Sequence, residues 1–391
     1  MSTSIQSNSN PSPIIISSSK SPSLNDSSSN GSLSSLFQER TNPIEKKESV
    51  SPLYSVIGFG TPCVDSVYKV TDLFLQKFSL EKGNWKQVLN WGEFSNILDK
   101  AIIENSTFSD QKVTRIGGSS SNTIKALARL QNNTAFFGKL GQFKEDQFYR
   151  SSVNNLNVHL LEQPSSNPIT QIAVFVTPDH QRTFVAYPNL STDLSLETLS
   201  KEIFEKAKLA HFEGYMLKEF SFPFIKKAMQ LAQEAGAKVS FDLGCGFITE
   251  HYRENILELL ENVDIVFANQ DEVKALFNKE SDEEAAPLLF SKCPIAVFLK
   301  GKEGALISDR NLGQVIESPA INVEVQDTTG AGDFFAGGFL HGYLQNCSLE
   351  ECGRLGNLLG GTVVTFEGAE IPEEKWPLLI QEVENQEEAN L

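Results

Sequence analysis

Cysteine is scarce in this 391-residue sequence, and the few cysteines present are scattered along it. They form no CxxC pair, and no histidine stands beside them at the spacing of metal ligands. The five are Cys63, Cys245, Cys293, Cys347 and Cys352. This pattern indicates neither a disulfide framework nor a zinc site. A reducing, cytoplasmic setting is therefore expected.

Positive charge is also in short supply. The 33 Lys and Arg residues are outnumbered by 50 Asp and Glu, which gives a formal net charge of −17. Such an acidic chain is a poor match for nucleic acid or an anionic membrane surface. No apolar run approaches the roughly 20 residues of a membrane span, and the start, MSTSIQSNSN, lacks the order of a signal peptide. We expect no nucleic-acid or membrane partner, and an anionic ligand would need a local positive site.

Three common nucleotide-binding motifs are missing. Both Gly-Lys pairs, in GKLG and GKEG, lack the Ser or Thr that completes a P-loop. A dinucleotide fingerprint starting at Gly58 has Cys63 in place of its third glycine. The protein-kinase motifs H-R-D and D-F-G are absent. A bound phosphate would need a different glycine turn.

The beginning of the chain differs in composition from the remainder. Residues 1–50 are dominated by Ser, Asn and Pro, which predicts a disordered tail that is either inert or a phosphorylation target. An organelle transit peptide is the alternative, although positive charges are few there. We predict one domain over residues 51–380 and an acidic C-terminal tail over residues 381–391.

Short apolar runs alternate with helical periodicity from residue 53 onward. The runs lie at 53–60, 208–212, 238–241, 264–267 and 295–299, and helical patterns at 224–235 and 272–277 are examples of what separates them. This alternation predicts an α/β fold with an open, parallel sheet covered by helices on both faces. Such sheets bind ligands beyond the carboxyl ends of their strands.

One region departs from this alternation. Residues 169–185 read as two strands joined through Pro178, Asp179 and His180. Together with the segment after Asp65, they predict a small sheet outside the main one, drawn from about residues 65–90 and 164–190. We interpret it as a lid over the ligand crevice. The alternative is an edge hairpin that extends the main sheet.

The stretch DTTGAGDFF, residues 327–335, combines small residues with two carboxylates. Gly330, Ala331 and Gly332 precede an apolar helical pattern, so their amide groups would form an anion-binding helix start. Asp333 in the first turn could accept a proton from a hydroxyl nucleophile. An Asp at a helix start is also a favoured cap, contributing about 1 kcal/mol. The sequence alone leaves cap and base as open alternatives.

Other turns allow a similar pair of interpretations. Gly117, Gly118 and Asn122 in GGSSSN could bind ligand hydroxyls or simply precede a Ser-capped helix. Asp65, beyond the first strand, could bind a diol or cap a turn. Residues 269–272, NQDE, fit either a hydrated Mg²⁺ site or a capping box.

Taken in order, GGSSSN, NQDE, GKEG and DTTGAGDFFAGGF resemble the PfkB family of carbohydrate and nucleoside kinases. The resemblance runs from about residue 54 to residue 372. It implies a ribokinase-like three-layer α/β/α fold, with a mostly parallel central sheet and a small β-sheet lid. It also implies a phosphotransferase with an alcohol acceptor that uses ATP, Mg²⁺ and, in some relatives, K⁺.

The resemblance implies a role for each motif residue. Asp333 would be the base, and Gly330 to Gly332 would form the anion hole for the transferred phosphoryl group. The substrate residues would be Asp65, Gly117, Gly118 and Asn122; the ATP-binding residues would be Asn269, Glu272, Lys300, Gly301, Gly304 and Asn357. Glu272 would hold Mg²⁺ through water, and Asp327 matches a position associated with a monovalent cation.

The phrases HFEGYML and VDIVFANQDEVKALF are most similar to the adenosine-kinase-like branch, which favours a nucleoside phosphorylated on its 5′-hydroxyl. Tyr215, Phe175 or Trp85 could then stack on the base, although each could equally be core packing. A ribose or fructose-like sugar is the alternative acceptor. A catalytically silent ligand-binding or interaction protein is a further alternative. Some relatives dimerise through the lid, and nothing in the sequence decides between monomer and homodimer.

Three positions depart from the family pattern. The segment after the first signature has Gln142 and Phe143 where acidic residues are common, and Ile124 replaces a residue that is usually small. All three lie in the half of the sequence that would bind the acceptor. The departures therefore bear on the substrate and not on Asp333.

Overall fold

The computed structural model describes residues 53–108, 113–179, 181–189, 194–217 and 221–387. The predicted tail over residues 1–50 lies outside these ranges. The strands are β1 (Tyr54–Phe59), β2 (Cys63–Lys69), β3 (Trp85–Gln87), β4 (Val113–Gly117), β5 (Thr134–Leu140), β6 (His159–Pro164), β7 (Thr170–Val176), β8 (Arg182–Tyr187), β9 (Ala207–Glu213), β10 (Lys238–Asp242), β11 (Ile265–Asn269), β12 (Ile295–Leu299), β13 (Ala305–Asp309) and β14 (Gln314–Ser318).

Helices connect most of these strands. They are α1 (Asp72–Lys77), α2 (Trp91–Asn105), α3 (Ser119–Arg129), α4 (Lys144–Asn155), α5 (Lys201–Phe204), α6 (Phe222–Glu234), α7 (Gly246–His251), α8 (Arg253–Leu259), α9 (Gln270–Phe277), α10 (Asp282–Phe290), α11 (Ala331–Leu344), α12 (Leu349–Val363) and α13 (Trp376–Glu387). Among the described residues, no helix is both long enough and apolar enough to cross a membrane.

The large sheet has the strand order β14-β13-β12-β11-β10-β9-β1-β5-β6. Strands from β6 to β12 in this order are parallel, and β13 and β14 are antiparallel. The chain runs outward from β1 to β5 on one side and to β9 on the other. The strand order therefore reverses at β1, and such a reversal opens a crevice at the carboxyl ends of the strands.

Both faces of the large sheet are covered, as a mostly parallel sheet requires. Along β1, Ile57 and Phe59 face one buried cluster and Val56 faces the other. The first cluster includes residues of α6, and the second includes residues of α3 and α11. The ring of Phe59 lies 4.6 Å from that of Phe212 on the neighbouring strand β9. This arrangement confirms the predicted three-layer α/β/α fold.

The second sheet has five strands in the order β3-β8-β7-β2-β4. Helix α2 packs on one face, where Phe94 and Ile97 join Phe175 and Tyr187 in a separate core. The hairpin β7–β8 belongs to this sheet and does not extend the large one, so the alternative of an edge hairpin is wrong. Strand β4, the segment leading into GGSSSN, is a member that the predicted lid segments did not include.

The C-terminal helix α13 continues past residue 380. Val383 is buried and packs with Trp376 and Leu379. The predicted boundary of the acidic tail at residue 381 therefore lies inside a packed helix, because apolar residues at helical spacing continue into the acidic segment. Residues 388–391 lie outside the described ranges.

Candidate active site

The site lies where the carboxyl ends of the parallel strands meet the start of α11. Glu213, Asp242 and Asn269 end β9, β10 and β11, and Leu299 ends β12. A methyl group added to Gly332 would lie 3.7 Å from Leu299, so the start of α11 stands against the end of β12. Since strand ends and a helix start converge here, the predicted crevice and the predicted anion site coincide.

The turn before α11 requires glycine at one position. Gly330 precedes the helix with a φ of 78°, and a Cβ there would lie 2.5 Å from that of Ala369. The N–H of Ala331 is already engaged by the carbonyl of Thr328 at 3.2 Å. The next two amide groups, of Gly332 and Asp333, lie in the first turn of α11, where N–H groups have no partner within the helix. Of the predicted Gly330–Gly332 set, the amide group of Gly332 therefore lies in the first turn of α11 together with that of Asp333.

Two hydrogen bonds from α3 fix the carboxylate of Asp333. Ser119 Oγ donates to Oδ1 at 2.7 Å, and Asn122 Nδ2 donates to Oδ2 at 2.8 Å. Burial raises the pKa of Asp333, while the bonds from Asn122 and Ser119 and the charge of Lys125 partly offset that rise. The carboxylate is therefore both oriented and poised to take up a proton.

Asn122 has a second polar atom available. Its Oδ1 is buried and, among the described residues, has no hydrogen-bond partner. A buried carbonyl oxygen without a partner is costly, so an acceptor hydroxyl is a fitting donor for it. Asn122 thus bonds the Asp333 carboxylate with one side-chain atom and presents a second that a ligand could satisfy. Ser119, its companion on Asp333, was not predicted, although it lies inside the GGSSSN motif.

The diglycine is explained by close contacts on both sides. A Cβ on Gly117 would lie 2.6 Å from Oδ2 of Asp65, and one on Gly118 would lie 2.5 Å from the carbonyl oxygen of Thr61. Gly118 also has a φ of 103°. Burial raises the pKa of Asp65 to about 6, against the lowering effects of the Cys63 thiol, Lys125 and Arg115. Of the predicted substrate residues, Gly117 therefore lies directly against the carboxylate of Asp65, and Gly118 lies against the backbone of the loop after β1.

Glu213 is a site residue that the sequence interpretation missed. It is 1% exposed, and its carboxylate accepts hydrogen bonds from the backbone N–H groups of Thr61 at 2.6 Å and Ser120 at 2.5 Å. A Cβ on Gly60 would lie 2.9 Å from Oε2. Glu213 ties the loop after β1 to the start of α3. Its position at the end of a predicted strand, in HFEG, was a usable signal.

The motif NQDE forms a capping box at the start of α9. Asn269 Oδ1 accepts from the N–H of Glu272 at 3.0 Å, and the Glu272 carboxylate accepts from the N–H of Asn269 at 2.8 Å and from its Nδ2 at 2.6 Å. Burial, Asp271 and Asp333 raise the pKa of Glu272 to about 7 despite these bonds. The capping box, one of the two predicted alternatives, is therefore formed. Glu272 is in addition a buried acid whose pKa is raised by the charge of Asp333.

Asp242, which the sequence interpretation also missed, is a second buried acid close to Glu272. Burial and the nearby Glu272 raise the pKa of Asp242 well above its ordinary value, and Asp333 contributes further. Within the described residues, no group of three or more His, Cys, Asp or Glu side chains stands at the spacing of direct metal ligands. Carboxylate oxygens are ligands that Mg²⁺ prefers, so Glu272 and Asp242 are the described acids that fit a hydrated ion held through water.

The predicted nucleotide residues border the end of β12. Gly304 has a φ of 92°, and a Cβ there would lie 2.1 Å from the carbonyl oxygen of Ser318. Gly301 has a φ of 58° and open space around it. Lys300 pairs with Glu303 at 2.6 Å. Asn357 is buried and donates from Nδ2 to the backbone oxygen and hydroxyl of Ser318, at 3.0 Å and 2.8 Å, which fixes α12 against β14.

Of the three aromatic residues proposed to stack on a base, one is excluded. Phe175 is 0% exposed and lies in the core between the small sheet and α2. Tyr215 is partly exposed, its ring lies against Gly244, and its hydroxyl donates to the Gly244 carbonyl at 2.9 Å. Trp85 is also exposed, on β3 at the edge of the small sheet. The alternation of residues along β7 predicts two faces but does not say which of them is buried. The sequence alone therefore could not place Phe175 in the core.

Asp327 is enclosed by donors. Oδ1 accepts from the N–H and hydroxyl of Thr329 at 3.1 Å and 2.8 Å, and Oδ2 accepts from the N–H of Gly368 at 2.5 Å and from Arg182 Nη1. Burial would raise the pKa of Asp327, but the bonds from Arg182 and Thr329 outweigh it and lower the pKa. With a guanidinium already at this carboxylate, the residues do not fit a bound K⁺.

Comparison with known proteins identifies a protein family that this chain matches. A sequence profile described as pfkB family carbohydrate kinase matches residues 102–376. Among curated proteins, a probable fructokinase-5 of Arabidopsis thaliana is 31% identical over 66% of this chain and 84% of its own length. Adenosine kinase 2 of Arabidopsis thaliana is 25% identical over 81% of this chain and 96% of its own.

A solved structure is similar over almost its whole length. The adenosine kinase of Sinorhizobium meliloti superposes with a TM-score of 0.74, at 29% identity, covering 84% of this chain and 99% of its own. Most of the fold described above is thus shared with a solved adenosine kinase.

Proposed function

Because the chain belongs to the pfkB family of carbohydrate kinases, and is therefore a phosphotransferase with an alcohol acceptor, we propose that it transfers the γ-phosphoryl group of ATP to the 5′-hydroxyl of a nucleoside resembling adenosine. The observation that carries this proposal is the position of Asp333 in the first turn of α11, beside the amide groups of the helix start. Both lie at the carboxyl ends of the parallel strands, with Asp65 of the small sheet packed against the adjoining diglycine.

In the proposed reaction, Asp333 accepts the proton of the acceptor hydroxyl as that oxygen bonds to phosphorus and the bond to the ADP oxygen breaks. Ser119 and Asn122 hold the carboxylate in the geometry that this requires. The amide groups of Gly332 and Asp333 face the charge on the transferred group. Mg²⁺ bound with ATP would supply further charge neutralisation, and Glu272 and Asp242 would hold it through water.

The proposed acceptor site lies between α3 and the small sheet. Asp65 and Asn122 Oδ1 would bind the sugar hydroxyls, beside the backbone of Gly117 and Gly118. Lys300, Gly301, Gly304 and Asn357 would border the nucleotide on the other side of Asp333. The two substrates would then meet at the start of α11, as direct transfer demands.

A nucleoside is favoured over a free sugar by the face of the small sheet that carries Asp65. Strand register places Val67, Ile172 and Phe184 on that face, and all three are partly exposed. A partly exposed apolar surface suits a flat heterocyclic base better than a hexose ring, which presents hydroxyls all round. The match to adenosine kinase 2 also spans more of this chain than the match to fructokinase-5. On this proposal the product is a nucleoside monophosphate, and the role is purine salvage in the cytoplasm.

The test is a phosphorylation assay with purified protein, Mg-ATP and a panel containing adenosine, other nucleosides, ribose and fructose. Wild type should phosphorylate adenosine, and Asp333→Asn should lose about 10²- to 10⁴-fold in rate. Asp99→Asn, at an exposed position on α2, is the matched control and should keep full activity. Equal rates for wild type and Asp333→Asn would contradict the role of the base.

The second candidate is a sugar kinase, favoured by the identity of 31% to a probable fructokinase. A product from fructose or ribose but from no nucleoside would establish it in place of the nucleoside kinase. No product from any acceptor, with ligand binding retained in a calorimetric titration, would instead support a silent binding protein.

A further inference from the structure

Arg182 is the one cationic side chain that contacts Asp327 among the described residues. Arg182 begins β8 of the small sheet. Asp327 lies just before the glycine turn that leads into α11. The Asp327 side chain is only 6% exposed and the Arg182 side chain 21% exposed. A carboxylate as buried as this needs a compensating positive charge, and here a residue of the same chain provides it.

Further positive charge lies close by. A Cβ on Gly368 would be 2.7 Å from Arg115 Nη1, so a second guanidinium of the small sheet lies against this loop. Lys125 Nζ donates to the carbonyl of Ala369 at 2.5 Å and to Glu370 at 3.0 Å. Two cationic side chains therefore lie against residues 368–370, and Arg182 adds a third at Asp327, whose Oδ2 accepts from the N–H of Gly368. A free monovalent cation would be repelled at this point.

Asp327 also organises the turn that follows it. Its Oδ1 holds the N–H and hydroxyl of Thr329, the residue before Gly330. Its Oδ2 holds the N–H of Gly368, and Ala369, the next residue, packs against the α-carbon of Gly330. Whatever charge neutralises Asp327 therefore helps to set the geometry of the anion site through two separate contacts.

We propose that Arg182 acts as a built-in cation: its guanidinium replaces a monovalent metal ion at Asp327, so that the protein has no K⁺ requirement. Arg182 is then a positioning residue that acts on the anion site through Asp327 and Thr329. Because it is carried by the small sheet, the anion site is complete only when that sheet is docked. The kinetic part of this inference rests on the proposed function.

The first experiment uses the wild-type protein at constant ionic strength, with KCl, NaCl or N-methyl-D-glucamine chloride as the salt. Phosphorylation rates should agree within about twofold, the scale of differences in general screening. The melting temperature without substrate should be equally indifferent to the cation. A K⁺-specific rise in either quantity overturns the proposal.

The second experiment removes the guanidinium. Arg182→Ser should lose about 10- to 100-fold in rate in N-methyl-D-glucamine, and K⁺ or guanidinium ion should restore several-fold. Its melting temperature should rise specifically with K⁺, because a buried carboxylate now lacks a partner. Arg182→Lys should keep the wild-type indifference to K⁺. Lys86→Ser, at an exposed ion pair of the neighbouring strand β3, is the control and should behave as wild type.

The outcomes separate this inference from the proposed function. If no acceptor is phosphorylated, the proposed function fails while the melting series still tests the cation site. If Arg182→Ser is fully active and its melting is indifferent to K⁺, Arg182 does not replace a cation. If Arg182→Ser does not fold, the wild-type cation series decides the matter by itself.

Discussion

Asn122 Nδ2 donates a 2.8 Å hydrogen bond to Oδ2 of Asp333, across 211 residues of sequence. Ser119 Oγ holds the other carboxylate oxygen at 2.7 Å. The two residues differ in one respect, because Asn122 also has a buried Oδ1 that finds no hydrogen-bond partner within the described ranges. Helix α3 thus orients the proposed base, and Asn122 also carries a buried acceptor atom that a ligand hydroxyl could satisfy.

The first prediction follows from that difference. Both bonds favour the charged carboxylate, so Ser119→Ala or Asn122→Ala should raise the pKa of Asp333 and move the acidic limb of kcat/KM upward by about one pH unit. Activity on the acidic side is then lost at a higher pH. Only Asn122→Ala should also raise KM for the acceptor. Steady-state kinetics from pH 5 to 9 would measure both effects, as expected for a titrating carboxyl group.

The control is Asn155→Ala, at the exposed end of α4. It should leave the pH profile unchanged. An acidic limb that stays in place in both α3 variants would show that Asp333 is not the titrating group.

The second prediction concerns the glycine turn. Gly330→Ala should reduce kcat by about 10²-fold or more, because the added methyl group meets Ala369 and displaces the amide groups behind it. Gly313→Ala is the matched control, since it has a similar φ of 65° but nothing within 4 Å of the new methyl group. Both variants carry about 1–2 kcal/mol of left-handed strain.

Kinetics and urea denaturation together separate the two effects. Both variants should lose stability, and only Gly330→Ala should lose activity. Similar kcat values in the two would mean that the turn does not contact the transferred group.

The fold could be predicted from the sequence largely because strand and helix periods differ. The apolar runs at 238–241 and 264–267 became β10 and β11, and the helical pattern at 224–235 became most of α6. Side-chain pairs that join distant segments could not be read this way. The ion pair of Arg182 with Asp327 and the bond of Ser119 to Asp333 depend on how the two sheets and α3 are placed, which no local pattern encodes.

The strand-end acids are an intermediate case. Asp333 stands out in the sequence because glycines mark its turn, whereas Glu213 and Asp242 end strands without such a mark. The NQDE pattern identifies Asn269 and Glu272 as a pair, yet it could not decide between a cap and a metal site. The structure shows that the cap is formed and leaves the Mg²⁺ role as a prediction.

The third prediction separates those two roles of NQDE. Glu272→Gln should raise the Mg²⁺ concentration needed for half-maximal activity by about 10- to 100-fold, the usual effect of changing a residue that holds a metal through its water ligands. Asn269→Ser keeps a favoured N-cap residue, so it should preserve the stability of α9. The measurement is the rate as a function of free Mg²⁺ at fixed ATP. An unchanged Mg²⁺ dependence in Glu272→Gln would reduce that residue to a cap.

The fourth prediction concerns Lys125, which is 3% exposed on α3. Its ammonium group holds Ala369 and Glu370 and lies 5.7 Å from the ring centre of Phe334. Lys125→Met should lower the free energy of unfolding by about 1–3 kcal/mol, less than for a fully buried pair because Glu370 is 35% exposed. Lys226→Met, which breaks an exposed pair with Glu258, should cost at most about 1 kcal/mol.

Lys125→Met should also alter catalysis, and this part distinguishes a site residue from a purely structural one. The charge of Lys125 lowers the pKa of both Asp65 and Asp333, so its removal should move the acidic limb of kcat/KM upward. Lys125→Arg, which restores the charge, should move the limb back toward wild type. A variant that is less stable but keeps the wild-type pH profile would assign Lys125 to the support of residues 369 and 370 alone, with no electrostatic part in the site.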